Sequence, residues 1–145
     1  MKFPEKYIKK GKFKLHSGEI ADTFYDVNKF LTDEDNLWRL VVQFINKNKK
    51  YYNAYVGIAT GGAIIASQFL PFAMIKDGEL KGKVEGDYCL IDDVVTTENS
   101  LRKAIDIIGK NPKDIFVVVD RRKEKTLDII SMYDITHHKP PKQQQ

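Results

Sequence analysis

One twelve-residue stretch, Leu90 to Leu101, carries the side chains best suited to chemistry. Two adjacent carboxylates, Asp92 and Asp93, end an apolar run, and hydroxyls follow them at Thr96, Thr97 and Ser100. Hydroxyls beside the first amides of a helix form a cradle for a phosphate. The carboxylates suit a different partner, since they accept hydrogen bonds from sugar hydroxyls or act as outer partners of a divalent cation. A phosphate at one end and a diol at the other indicate a ribose 5-phosphate.

The same residue types also have a plain structural use. Asp92 and Asp93 would then simply end a strand, and Thr97 would cap the next helix. The cap alone favours that interpretation. The whole twelve-residue combination favours the ligand site.

The strand that must position the carboxylates is Tyr88–Val95. Its near-continuous apolar character is typical of a strand buried on both faces, which places it inside a sheet. Ligands of open α/β sheets bind at the carboxyl ends of the strands. We therefore expect Asp92 to Ser100 to lie in such a crevice.

Alternating short apolar runs and helical periodicities surround this strand. They predict further strands at 55–59, 72–75, 115–119 and 127–135, and helices at 36–47, 63–70 and 98–109, the last ended by Gly109. Strands and helices with short connections indicate an α/β fold with a mostly parallel central sheet flanked by helices.

Length and composition suit one core. The chain has 145 residues, 42% of them apolar, which predicts a single domain over residues 1–136. The proline-containing polar segment 137–145 is expected to be a disordered tail. No apolar run approaches the ~20 residues of a membrane span, and no secretory pattern opens the chain. The lone Cys89 lies in an apolar run, so we expect a buried thiol in a reducing, cytoplasmic setting.

The charge balance leaves the class of partner open. A net charge of +4 and a pI near 9.0 suit anionic small molecules or nucleic acid. A nucleic-acid binder is the weaker hypothesis, because the chain has no evident recognition helix or aromatic-basic stacking motif.

The stretch from Leu90 to Leu101 resembles the phosphoribosyl pyrophosphate signature of type I phosphoribosyltransferases. Other stretches resemble the orotate phosphoribosyltransferase group, and the resemblance spans about residues 11 to 135. These stretches are residues 13–18 with 24–26, 56–63, 117–121 and 129–135.

This resemblance implies an enzyme that joins a nitrogenous base, orotate first of all, to phosphoribosyl pyrophosphate and releases pyrophosphate. It also implies a homodimer, a place in pyrimidine biosynthesis, and Mg²⁺ carried mainly by the substrate, with no direct protein ligand expected. The implied catalytic residues are Asp92, Asp93 and Lys76. The implied phosphoribosyl pyrophosphate site is Thr60, Gly61, Gly62, Asp92, Asp93, Thr96, Thr97, Asn99 and Ser100, and the implied base site is Arg121, Phe24 and Tyr25.

Several of these residues have an alternative interpretation. Arg121 offers a planar fork for the carboxylate of orotate, or else forms a surface basic pair with Arg122. Phe24 and Tyr25 line the base pocket or belong to the core. The sequence 60–62 either lets backbone amides approach a pyrophosphate or is an ordinary strand-to-helix turn.

The chain departs from the family pattern at two places. Glu98 and Asn99 stand where the family commonly has two glycines, so Glu98 brings a negative charge to the phosphate cradle unless its side chain points away. Only fifteen residues, 77–91, replace a long mobile loop, and Lys81 or Lys83 would have to substitute for its basic groups. The alternative function is therefore a non-catalytic binding or regulatory protein that has lost the catalytic loop.

Overall fold

An N-terminal hairpin precedes a six-stranded α/β sheet. The computed structural model describes residues 2–15 and 18–135. The hairpin pairs β1 (Ile8–Lys14) with β2 (Ile20–Tyr25) in antiparallel orientation, and helix α1 (Val27–Thr32) follows it. The Asp26 carboxylate caps α1 by accepting a hydrogen bond from the Lys29 amide at 3.1 Å. The sequence did not predict this hairpin.

The central sheet has the strand order β5-β4-β3-β6-β7-β8. Its strands are β3 (Ala54–Ile58), β4 (Phe72–Lys76), β5 (Glu79–Lys81), β6 (Tyr88–Val95), β7 (Asp114–Asp120) and β8 (Ile130–Asp134). All neighbours are parallel except β4 and β5, which form an antiparallel edge hairpin. The predicted mostly parallel sheet is confirmed.

Strand β6 lies between β3 and β7 and supplies both faces of the core. Cys89 and Ile91 belong to one hydrophobic cluster, and Tyr88 and Leu90 belong to the other. This alternation explains why the strand reads as an unbroken apolar run, and it confirms β6 as an inner strand. Cys89 is fully buried, and burial raises the pKa of its thiol.

Helices cover both faces of the sheet. The helices α2 (Asn36–Asn48) and α3 (Gly61–Ala66) contribute with α1 to one cluster, and α4 (Asn99–Ile108) contributes Leu101 and Ala104 to the other. Gly109 ends α4 with φ of 89°, a left-handed conformation that glycine adopts without steric cost.

Two predicted elements differ from the observed ones. Helix α3 begins at Gly61 and ends at Ala66, whereas residues 63–70 were predicted. The Ser67 hydroxyl donates to the Ile64 carbonyl at 2.8 Å as the helix ends, and Pro71 follows. Strand β8 covers only Ile130–Asp134 of the predicted 127–135, because residues 126 and 127 bind Glu98 instead. The expected tail, 137–145, lies outside the described residues.

None of the helices within residues 2–15 and 18–135 is long and apolar enough to cross a membrane.

Candidate active site

The turns that follow the parallel strands meet at one edge of the sheet and enclose a cavity of about 260 Å³. Strand β3 leads to the glycine turn, residues 59–62, and β6 leads to the hydroxyl turn, residues 96–100. Strand β7 leads to the arginine loop, residues 121–129. The predicted residues that line the cavity are Phe24, Tyr25, Thr60, Asp92, Asp93, Thr96, Thr97, Ser100 and Arg121. Residues separated by almost a hundred positions in the chain are thus brought together as expected.

The two carboxylates occupy the last part of β6 and differ in exposure. Asp92 is only 7% exposed, whereas Asp93 is partly exposed. Each accepts a hydrogen bond from the next backbone amide: Asp93 N donates to Asp92 Oδ1 at 2.8 Å, and Val94 N donates to Asp93 Oδ1 at 2.7 Å. Burial, with the neighbouring charge of Asp93, raises the pKa of Asp92 well above its usual range. Carboxylate oxygens are acceptors that suit ligand hydroxyls.

The hydroxyl turn connects β6 to α4 and presents polar groups to the cavity. Thr96, Thr97 and Ser100 line it, and the Asn99 amide makes a long contact of 3.5 Å to the Thr97 hydroxyl. Asn99 itself lines an adjoining open cavity of about 860 Å³ rather than the smaller one. The adjoining cavity shares Thr96, Thr97 and Arg121 with the smaller one.

Glu98 forms its hydrogen bonds and ion pairs with the arginine loop and with Arg102 of α4. Its carboxylate is 8% exposed, and its Oε2 accepts hydrogen bonds from Arg122 Nη1 at 2.7 Å and from the Thr126 and Leu127 amides at 2.8 and 3.0 Å. Burial opposes its ionisation, but the hydrogen bonds from Thr126, Leu127 and Arg122 outweigh burial and lower the pKa of Glu98. The charge that the sequence placed in the phosphate cradle is therefore neutralised by partners outside it.

The glycine turn is a close backbone contact. A Cβ on Gly62 would lie 2.3 Å from the Ile91 carbonyl oxygen, and one on Gly57 would lie 2.3 Å from the Gly62 carbonyl oxygen. A Cβ on Gly61 would meet the Asp93 side chain at 2.6 Å. Both Gly61 and Gly62 are buried, and of the predicted residues in this turn only Thr60 lines the cavity. The glycines thus allow α3 to pack against β6.

Arg121 lies at the base end of the predicted site. Its guanidinium donates to the Thr23 carbonyl at 3.2 Å and the Thr23 hydroxyl at 3.0 Å, and stacks over the Tyr25 ring at 4.7 Å from the centroid. Burial lowers the pKa of Arg121. Phe24 and Tyr25 line the cavity, and their rings also contact those of Phe13 and Phe3, respectively.

Arg122 does not form a surface basic pair with Arg121. It is 3% exposed and binds Asp120 with two guanidinium nitrogens, Nε to Oδ1 at 3.0 Å and Nη2 to Oδ2 at 2.8 Å. The surface-pair interpretation was wrong because the partners of Arg122, Asp120 and Glu98, are themselves buried and could not be recognised from local sequence.

The predicted lysines lie elsewhere. Lys76 is exposed at the carboxyl end of β4, opposite Glu79 in the edge hairpin, and lines neither cavity. Lys81 forms an ion pair with Glu79 at 3.0 Å. The lysine that does line the smaller cavity is Lys14 of β1, which, like Asn28, was not predicted to be part of the site. A hairpin prediction would have been needed to find it.

Comparison with solved structures identifies the class of fold. The orotate phosphoribosyltransferase of Aeropyrum pernix superposes with a TM-score of 0.71 over 90% of this chain and 89% of that one, at 22% identity. The Mycobacterium tuberculosis orotate phosphoribosyltransferase in complex with phosphoribosyl pyrophosphate gives a TM-score of 0.66 over 84% and 86% of the two chains, at 16% identity. The chain therefore has the fold of the phosphoribosyltransferases.

Comparison of sequences narrows the class to one family. The chain is 30% identical to the orotate phosphoribosyltransferase of Methanosphaera stadtmanae, over 91% of this chain and 89% of that protein. It is also 30% identical to that of Actinobacillus succinogenes, of which it spans 65%. No family model matches the sequence. On the similarity to the first of these relatives, the chain belongs to the orotate phosphoribosyltransferase family.

Proposed function

We propose that this protein transfers ribose 5-phosphate from phosphoribosyl pyrophosphate to orotate and releases pyrophosphate. The observation that carries the proposal is the small cavity itself. It combines a carboxylate pair suited to a diol, a hydroxyl-rich turn suited to a phosphate, and an arginine, stacked on an aromatic ring, suited to a base carboxylate.

In the proposed reaction, the bond between ribose C1′ and the pyrophosphate oxygen breaks as a ring nitrogen of orotate bonds to C1′, and the proton of that nitrogen passes to solvent or to the released pyrophosphate. The transition state resembles an oxocarbenium ion, so the protein acts mainly by holding both substrates and by stabilising the leaving group. Asp92 and Asp93 accept hydrogen bonds from the ribose hydroxyls. Thr96, Thr97, Asn99 and Ser100 hold the 5-phosphate, and Arg121 holds the orotate carboxylate beside Phe24 and Tyr25.

The pyrophosphate end of the site has fewer candidate side chains. Thr60, Gly61 and Gly62 are proposed to bind pyrophosphate through the glycine turn, with Lys76 as a cation at the same edge of the sheet. Lys14 supports this end more directly, because it lines the smaller cavity, whereas Lys76 lines neither cavity. We propose that Lys14 is a further pyrophosphate contact.

We propose that Mg²⁺ enters the site bound to phosphoribosyl pyrophosphate. Within residues 2–15 and 18–135, no cluster of three or more His, Cys, Asp or Glu side chains is arranged to hold a metal ion. A cation bound to pyrophosphate would neutralise the charge of the leaving group, and Asp92 and Asp93 suit its outer shell. Whether or not Mg²⁺ is bound, Asp92 and Asp93 are proposed to accept hydrogen bonds from the ribose hydroxyls.

Titration calorimetry tests the proposal directly. Wild-type protein should bind phosphoribosyl pyrophosphate with Mg²⁺, and Asp92→Ala with Asp93→Ala should abolish that binding. Arg121→Ala should weaken orotate binding by about 1.5 to 3 kcal/mol while leaving phosphoribosyl pyrophosphate affinity intact. A wild-type protein with no affinity for phosphoribosyl pyrophosphate, or one that prefers a neutral purine, contradicts the proposal.

Turnover is expected to be well below that of relatives with a long loop. The short β4–β5 hairpin leaves pyrophosphate less covered, and loss of one strong electrostatic donor reduces turnover by about 100-fold or more. The curated relatives are named as enzymes, which disfavours the alternative of a binding or regulatory protein without turnover. Binding of phosphoribosyl pyrophosphate without any production of orotidine 5-phosphate would support that alternative.

Membership of the family also supports proposals on the domain, the oligomeric state and the cellular role of the protein. We propose a single domain over residues 1–136, a homodimer and a cytoplasmic role in pyrimidine biosynthesis. The homodimer is expected to bury apolar surface near the ligand-facing edge of the sheet. Light scattering that gives a monomer mass across the micromolar range contradicts it.

A further inference from the structure

A buried network of charged groups joins the hydroxyl turn to the arginine loop. Its members are Glu98, Asp120 and Arg122, each less than 10% exposed. The structure leaves no buried side-chain nitrogen or oxygen without a hydrogen-bond partner among the described residues. The network is therefore complete as it stands, and it has no need of a ligand.

Arg121 lies in the sequence between two members of this network, Asp120 and Arg122. Its preceding residue, Asp120, accepts three hydrogen bonds from Arg122, including one from the Arg122 amide at 3.0 Å. The amide of Arg121 donates to the Val95 carbonyl at 2.8 Å. Because both neighbours are fixed in the interior, the backbone of Arg121 is held in one conformation. That conformation directs its side chain toward Thr23 and Tyr25.

Glu98 closes the far end of the arginine loop. Its carboxylate binds the Thr126 and Leu127 amides and Arg122, and the Thr126 hydroxyl donates to it as well. Arg122 Nη1 also donates to the Leu127 carbonyl at 2.8 Å. One carboxylate thus ties the end of the loop to its beginning.

The hydroxyl turn depends on Glu98 much less than the loop does. Helix α4 anchors that turn through Leu101 and Ala104, which are buried in the core, and through the backbone bond from the Arg102 amide to the Glu98 carbonyl at 2.9 Å. Removing the charge of Glu98 leaves these contacts in place. Loss of that charge should therefore affect mainly the conformation of the arginine loop.

We propose that Glu98, through Arg122, is a positioning residue for Arg121 and so sets the affinity for the base rather than for the phosphate. The inference rests on the proposed function, since it takes Arg121 as the base-binding residue. The substitution that seemed to weaken the phosphate cradle instead preorganises the opposite end of the site.

Glu98→Gln tests the inference, because it keeps the shape of the side chain and removes its charge. The Michaelis constant for orotate should rise about tenfold, as expected when a charge-assisted hydrogen bond is weakened. The dissociation constant of phosphoribosyl pyrophosphate should change by less than about threefold, which is under 1 kcal/mol. Asp128→Asn is the matched control, since it removes an exposed carboxylate that lies in the same loop and lines neither cavity, and it should change neither constant.

A second variant and a second measurement keep the test decisive. Arg122→Lys keeps the charge but loses the planar fork, so it should reproduce the selective loss of orotate affinity if Glu98→Gln does not fold. The NMR signals of the Arg121 side chain, shifted by the Tyr25 ring, should move toward unstacked values in both variants and not in Asp128→Asn.

Each contrary outcome has a distinct meaning. Equal losses for orotate and phosphoribosyl pyrophosphate, or a lower melting temperature with unchanged orotate affinity, would overturn the positioning role. A wild-type protein that binds no orotate would refute the proposed function instead. In that case, unchanged Arg121 signals in Glu98→Gln would overturn the positioning inference separately.

Discussion

Two strand-to-helix turns at the same edge of the sheet are built in opposite ways. The glycine turn after β3 depends on the absence of side chains, because a Cβ on Gly57 or Gly62 would overlap neighbouring backbone atoms. The hydroxyl turn after β6 uses a side chain instead, because Glu98 reaches partners in the arginine loop. The first turn packs by steric fit, whereas the second holds a neighbouring loop through paired charge.

This difference teaches where each turn tolerates change. Close-packed backbone has no room to relax, so an added methyl group must displace a helix or a strand. A buried ion pair depends on its geometry and on the presence of both partners. The two turns should therefore respond differently to substitution, in stability for the first and in ligand affinity for the second.

The largest expected effect comes from filling the glycine turn. Gly62→Ala places a methyl group 2.3 Å from the Ile91 carbonyl oxygen, where only backbone can move. We expect the free energy of unfolding to fall by about 3 kcal/mol, measured by urea denaturation. Gly109→Ala is the control, since it meets no atom within 4 Å and costs only about 1 kcal/mol for its left-handed backbone. Equal losses in the two variants would show that α3 can move away from β6.

A smaller effect on stability is expected at Gly61, where the glycine turn meets side chains of β6 and α1. A Cβ there would contact the Asp93 side chain at 2.6 Å and Asn28 Oδ1 at 2.8 Å. Side chains can shift, so Gly61→Ala should cost about 1 to 2 kcal/mol of stability, while displaced Asp93 weakens phosphoribosyl pyrophosphate binding in calorimetry. Adding Asn28→Ala relieves only the second contact and should not restore affinity. Restored affinity would assign the effect to Asn28.

Sequence alone was sufficient for the elements whose signal is local. Strand β6 was predicted with its observed bounds, because an inner strand is apolar on both faces. The end of α4 at Gly109 was predicted because the apolar periodicity stops there. Most predicted cavity residues were found for the same reason, since parallel strands bring their following turns to one edge.

Sequence was not sufficient where a long-range partner decides the structure. The lysine-rich β1 carries little apolar alternation, so the hairpin that brings Lys14 to the cavity was missed. Arg122 looked like a surface residue because its partner Glu98 is 24 positions away. The contacts of Gly61 and Gly62 with β6 were also not predicted, because they depend on packing, which no local pattern records.

The most selective test concerns Asp92, at the end of β6 that leads into the hydroxyl turn. The fold disfavours the ionised form of its carboxyl group. Burial, and then the charge of Asp93, raise the pKa of Asp92 in the folded protein, whereas an unfolded aspartate has a pKa of about 3.9. As pH rises from that value toward the folded-state pKa, the unfolded chain loses its proton first, so the free energy of unfolding falls. Asp92→Asn removes this titration. The variant should therefore melt at a higher temperature than wild type at neutral pH, with the difference shrinking toward pH of about 4.

The same Asp92→Asn variant should bind phosphoribosyl pyrophosphate more weakly, because a neutral amide is a poorer acceptor for ribose hydroxyls. Stability and affinity would then move in opposite directions, as expected where a site holds a charge that the fold opposes. Asp106→Asn, which changes an exposed carboxylate on α4, should alter neither quantity. A lower melting temperature for Asp92→Asn at neutral pH would instead mean that the ionised carboxylate stabilises the fold. The contrast between the glycine turn, which depends on packing, and the end of β6, which carries an unfavourable charge, would then fail.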